Sequence, residues 1–208
     1  MNMFDNSDGA AGTVALVVTI GLACTAAVLG RLDYALLCGA YTGALAAFLH
    51  FNRYPSRIFM GDIGSFQLAT FLGGTTIALT WTEGTLDSAL QSNLFFLVLF
   101  LDVALVSVYR ISQNISPFRG DTSHLSHVLI EQLQSPRRWV KILGLLTGAL
   151  TGAYLLLAHG SLVGPPRDAV LLLAWLLPTA ALTAAYLRGL RQRRALAQPP
   201  LQRRGYTG

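Results

Sequence analysis

Residues 52–65, Asn-Arg-Tyr-Pro-Ser-Arg-Ile-Phe-Met-Gly-Asp-Ile-Gly-Ser, hold more chemistry than a turn between two apolar runs needs. Arg53 and Arg57 can grip phosphate oxygens, and the carboxylate of Asp62 can hold a divalent cation. Gly61 and Gly64 let the backbone turn sharply and approach a ligand closely. Ser65 leads into an apolar helix, whose free N–H groups favour anionic oxygens. A helix cap flanked by snorkelling arginines is the simpler use of these residues. The stretch does not stand alone, however.

At the amino end, Asp5 and Asp8 are three apart and could face one point, with Asn2 beside them. Such a group suits a hydrated cation or a polar ligand. The plainer use is a solvated terminus in which Ser7 or Asp8 caps a helix beginning near Ala10. The third stretch begins at Asp102, an ionisable group roughly mid-membrane, which by default implies a functional or paired role. Arg110, eight residues on, is too far for an adjacent-turn pair, so the partner of Asp102 is expected on another element. Then comes Ser116-Pro-Phe-Arg-Gly-Asp-Thr-Ser-His-Leu-Ser-His127, a bent loop fixed by Pro117 and Gly120. Arg119 is a phosphate-type ligand. His124 and His127 can share a face, a spacing compatible with zinc, but no third ligand sits nearby. Hydrogen bonding to a substrate phosphate is the more natural use of His beside Arg.

The elements that must position these groups are membrane spans. The 208 residues are 53% hydrophobic and 12% charged, with mean hydropathy +0.51; a soluble domain carries about twice that charged fraction. Six apolar runs of spanning length occur, at 10–30, 34–51, 64–81, 92–110, 139–158 and 169–187. The expected fold is an all-α polytopic transmembrane helix bundle of about six spans. Residues 1–187 form one helical domain with site loops at 1–9, 52–65 and 111–138, and 188–208 form a mobile basic tail. Small residues in the first span, and Gly73-Gly74 in the third, are expected to allow close helix packing, and Pro178 to kink the last. Cys24 and Cys38 read as small buried hydrophobes. The first run is preceded by Asp5 and Asp8 with no Lys or Arg, unlike a signal peptide.

With the amino terminus cytoplasmic, thirteen of the fifteen Lys and Arg residues fall on the cytoplasmic side, leaving Arg31 and Arg167 outside with Asp33, Glu83, Asp87 and Asp168. That bias is a strong positive-inside signal. The net charge of +5 is thus a statement of topology, with attraction to anionic lipid, and does not point to nucleic acid. A transporter is disfavoured too, because the ionisable groups gather at one face and not at a midplane site.

Three motifs now stand together: Asn2-x-x-Asp5-x-x-Asp8-Gly9, the 52–65 stretch, and Asp102…Arg110…Ser116-Pro-Phe-Arg-Gly-Asp…His-Leu-Ser-His127. They resemble the polyprenyl-phosphate N-acetylhexosamine-1-phosphate transferases of glycosyltransferase family 4, over about the carboxy-terminal two-thirds of a family member. The resemblance implies transfer of a sugar-1-phosphate from a UDP-N-acetylhexosamine to undecaprenyl phosphate, releasing UMP, at the bacterial inner membrane. It implies Mg²⁺, with Mn²⁺ as substitute, held by Asp62. Asp5, Asp8, His124 and His127 join Asp62 in catalysis, and Asn2, Asn52, Arg57, Gly61, Ser65, Arg110 and Arg119 bind substrate. Expected partners are the UDP-sugar, the polyprenyl phosphate, membrane lipid, and either a second copy or a missing amino-terminal half. The family's Asp-Asp-x-x-Asp motif is not found here, and its His-x-His-His reads His124-Leu125-Ser126-His127. The alternative expectation is a non-catalytic relative that binds lipid phosphate or a partner.

Overall fold

The apolar runs fold as helices. The computed structural model describes residues 4–81, 85–117, 122–161 and 163–197, and contains no strand among them. In chain order the helices are α1 (Ala10–Val28), α2 (Leu32–Asn52), α3 (Gly61–Thr80), α4 (Leu86–Ser92), α5 (Leu97–Ser112), α6 (Leu125–Leu133), α7 (Pro136–His159) and α8 (Pro165–Ala197). A 3-10 turn at Asn93–Phe96 joins α4 to α5. Asn2, Glu83 and Arg119 lie outside the described residues.

Five stretches are long and apolar enough to cross a membrane: α1, α2, the Leu86–Ser112 stretch, α7 and α8. The chain is an all-α polytopic membrane bundle. The remaining expected span is α3, helical over 20 residues but diluted by Ser65, Gln67, Thr70 and Gly73-Gly74-Thr75-Thr76. Large apolar side chains also cover the outside, including Leu36, Leu145 and Ile63, the last 87% exposed. An apolar exterior of this kind suits lipid, where a helix need not hide its hydrophobic face.

The core is built around α1. Ala10, Ala11, Val14, Ala15, Val18, Leu22 and Ala26 are all buried there, between α2 and α7. Gly21 sets the separation: a Cβ on it would fall 2.4 Å from Thr151 Cγ2 of α7 and 2.9 Å from the ring of Phe95. The other expected packing site behaves differently. A Cβ on Gly73 or Gly74 would meet nothing within 4 Å; Gly73 instead lines an apolar groove of about 430 Å³ between α3 and α4–α5. Buried hydroxyls of Thr19, Thr25 and Thr76 donate to the carbonyl one turn back, so each polar group is satisfied within its helix.

Three further expectations are corrected. Neither Ser7 nor Asp8 caps α1: the cap is Gly9, with φ 76° and no side-chain bond, because Asp8 is engaged elsewhere, as described below. Cys24 is exposed, although Cys38 is buried. Residues 188–197 of the expected tail continue α8, which runs across Pro178 without interruption. By contrast α7 starts conventionally, with Pro136 in its first turn and Ser135 Oγ accepting from the Arg138 N–H at 3.3 Å.

Candidate functional site

The first two motifs are hydrogen-bonded to each other. Asn52, 4% exposed at the end of α2, accepts from the Gly9 N–H at 3.1 Å through Oδ1. Its Nδ2 donates to the Ile58 carbonyl at 2.8 Å, so one amide ties the start of α1 to the loop that follows α2. Asp8 completes the link, accepting from the Ser56 N–H at 3.0 Å and from Ser56 Oγ at 2.9 Å. Asp5 is partly buried, and burial pushes its carboxyl above the ordinary value.

Loop 53–60 then enters α3 through Gly61, whose φ of 65° is left-handed backbone that glycine adopts without cost. Asp62 sits exposed in the first turn of α3, where a helix start favours negative charge. Ser65, fully buried, donates through Oγ to the Asp62 carbonyl at 3.0 Å and stiffens that turn. Arg57 is exposed and lines the same cavity as Asp8.

The third motif is assembled by α5, α6 and α8. Asp102 is 0% exposed, and its partner is the start of α6. One carboxylate oxygen accepts from the Leu125 N–H at 2.7 Å and the other lies 2.9 Å from His124 Nδ1. The carboxylate thereby does for α6 what a capping side chain does, and it orients the imidazole so that Nε2 is the ring nitrogen left for another partner. Arg110, 1% exposed, donates to the Pro117 carbonyl at 2.6 Å.

From α8, the Tyr186 hydroxyl donates to the Ser123 carbonyl at 2.8 Å. Arg193 forks onto Glu131 at 2.6 and 2.8 Å and donates to the Thr122 carbonyl at 2.8 Å. His127, in the first turn of α6, has its pKa lowered by burial first, then by His124 and Arg193. Among the described residues no group of three or more His, Cys, Asp and Glu is arranged to hold a metal.

The two clusters share one end of the bundle. Immediately after α6, the first turn of α7 reaches back to the 53–60 loop: Arg137 Nε donates to the Tyr54 carbonyl at 3.4 Å, and its guanidinium lies 5.9 Å from the Tyr54 ring centre. Sequence reasoning singled out Asp102 without finding its partner. It missed Tyr186, Glu131 and Arg193 altogether, since nothing in their local pattern reports a contact 62 to 71 residues away.

A polytopic helical bundle with a polar, loop-built face at one end is the class this geometry defines. Residues 1–80 match the family model described as Glycosyl transferase family 4. That segment holds the Asp8 and Asp62 motifs and stops short of the His124 loop. Curated relatives similar to the chain include phospho-N-acetylmuramoyl-pentapeptide-transferases. The protein of Clostridium perfringens is 46% identical over 68 residues, 33% of this chain and 22% of that one. The one from Symbiobacterium thermophilum is 36% identical over 121 residues, 57% of this chain and 32% of that one. A third, from Streptococcus equi subsp. zooepidemicus, is 39% identical over 84 residues, 39% of this chain and 25% of that one. The chain thus spans, in the aligned segments, about a fifth to a third of these relatives' length. No solved structure matches significantly.

Proposed function

We propose that this polar face takes part in moving a sugar-1-phosphate from a UDP-N-acetylhexosamine to a polyprenyl phosphate, undecaprenyl phosphate in bacteria, within cell-envelope polysaccharide synthesis. An oxygen of the lipid phosphate attacks the phosphorus that carries the sugar, and the bond from that phosphorus to the UMP oxygen breaks. The products are a polyprenyl diphospho-sugar and UMP. The observation that carries this reading is the joining of the Asp8 and Asp62 motifs through Asn52 and Ser56, inside the segment that matches the family model. Phosphoryl transfer asks a protein mainly for positioning and charge neutralisation.

Asp62, exposed in the first turn of α3, would hold Mg²⁺ or Mn²⁺ with water and substrate phosphate filling the other positions. When bound, the ion supplies charge neutralisation on the diphosphate. Arg57 and Arg110 supply positive charge, and Arg119 takes the same role by its motif alone. Ser65 and Gly61 shape the turn that presents Asp62, and Asn52 locks that loop to α1. Asp5 and Asp8 are assigned to the nucleotide side, and Asn2 takes the same role by its motif alone. His124, held by Asp102, and His127 offer ring nitrogens to the phosphate and sugar. This face and the carboxy terminus are assigned to the cytoplasmic side of the inner membrane, on the bias of the basic residues.

A second reading is favoured by one observation: no group of three or more His, Cys, Asp and Glu is arranged to hold a metal among the described residues. On that reading the chain binds lipid phosphate or a partner that completes the site, without turning over alone. The test is lipid-linked product from labelled donor, undecaprenyl phosphate and Mg²⁺ in membranes containing the chain. UDP-N-acetylglucosamine and UDP-N-acetylmuramoyl-pentapeptide are run in parallel to identify the donor. Product from wild type, reduced roughly 10²–10³-fold in Asp62→Ala, supports the first reading. Absence of product with either donor supports the second.

A further inference from the structure

We propose that the basic face carries an additional site, for the phosphate-bearing headgroup of an anionic membrane lipid, in the cavity bounded by the start of α1, the end of α2 with its following loop, and the start of α7. The cavity encloses about 930 Å³ and is lined by four cations: Arg53 and Arg57 from the loop, Arg137 and Lys141 from α7. Arg137 and Lys141 are four residues apart and lie on one face of their helix. The ion pairs of the described residues fall elsewhere, on Arg31, His124, Arg167 and Arg193. Arg137 touches only the carbonyl and ring of Tyr54, which do not neutralise it. The one carboxylate on the cavity wall, Asp8, is already held by the Ser56 N–H and hydroxyl. Four gathered cations against one carboxylate leave the cavity with an excess of positive charge, which attracts an anion that can bridge them.

The walls specify what kind of anion. Ala46, Leu49 and Val140 line the same cavity. Ala46 lies six residues inside the end of α2, roughly 9 Å along the helix axis, so the cavity passes from the charged rim into the apolar layer. Inorganic phosphate would meet the cations and leave the apolar wall wet. A lipid satisfies both levels, its phosphate among the cations and its first methylenes against Ala46 and Leu49. The site borders the transfer site and shares Arg57 and Asp8 with it, whereas Arg53, Arg137 and Lys141 are assigned only here.

The test uses the full chain in phosphatidylcholine nanodiscs with spin-labelled phosphatidylglycerol or spin-labelled phosphatidylcholine as probe. Phosphatidylglycerol is expected to be immobilised in preference to phosphatidylcholine. The preference should fall by at least roughly tenfold in Arg53→Gln/Arg137→Gln/Lys141→Gln, at about fivefold per cation, and remain in Arg31→Gln at the other end of the bundle. If the triple variant does not reconstitute, Arg53→Gln alone, at an exposed position, should lower the preference about fivefold. Equal immobilisation of the two lipids, or an unchanged preference in the variants, overturns the proposal. So does release of the bound lipid by millimolar pyrophosphate, which would mark a site for soluble phosphate.

Discussion

Asp102 shows how much one buried carboxylate organises. It is fully buried in a membrane-spanning helix, yet both of its oxygens are used, one on the Leu125 N–H and one on His124 Nδ1. Asp102→Ala leaves a helix-start N–H and an imidazole nitrogen without their acceptor, which should lower stability by about 1–3 kcal/mol. Unfolding by SDS titration in mixed micelles measures this, and Asp102→Asn, which keeps one acceptor, should lose less. His127 has a pH signature. Its pKa lies below the ordinary 6.5 because burial disfavours the imidazolium. The unfolded chain therefore takes up a proton near pH 6.5, and the folded chain only at lower pH. The stabilisation is complete above about pH 6.5 and is lost as pH falls from there through the folded value. The decline in stability below pH 6.5 should be shallower in His127→Gln than in wild type.

At the scale of elements, close approach rather than charge sets the strong constraints. Gly21→Val would drive a side chain into Thr151 and Phe95, and overpacking of this kind costs about 1–3 kcal/mol. The expected result is a matching drop in the SDS midpoint, whereas Gly73→Ala, facing open space, should be near neutral. The Arg193–Glu131 pair is partly exposed and should matter little energetically, at about 0–1 kcal/mol. Its effect is positional. Glu131→Gln should leave the melt nearly unchanged while raising amide exchange around Thr122 and Ser123, the loop that Arg193 and Tyr186 anchor.

For the whole molecule, the helices were legible in the sequence because long apolar runs leave the backbone few other ways to satisfy itself in lipid. The 52–65 loop and its tie to the amino terminus were legible as residue types, Gly-Asp-x-Gly-Ser beside paired aspartates. The particular bonds were not. Asp8 reads locally as a helix cap, but its acceptor oxygens go to Ser56, 48 residues away. Residues 188–197 read as a tail because arginines dominate them, yet Arg193 has Glu131 to hold. Long-range pairing overrode local pattern in both places, and each lies at the polar end of the bundle.

The central claim is that the Asp62 turn and the His124 loop act on one diphosphate although different helices carry them. A double-mutant cycle on the rate of lipid-linked sugar formation tests it, using Asp62→Ala, His124→Ala and both together. Groups that serve one transition state lose their effects non-additively, so the double variant should be little slower than the worse single one. Losses that simply multiply would contradict a shared site.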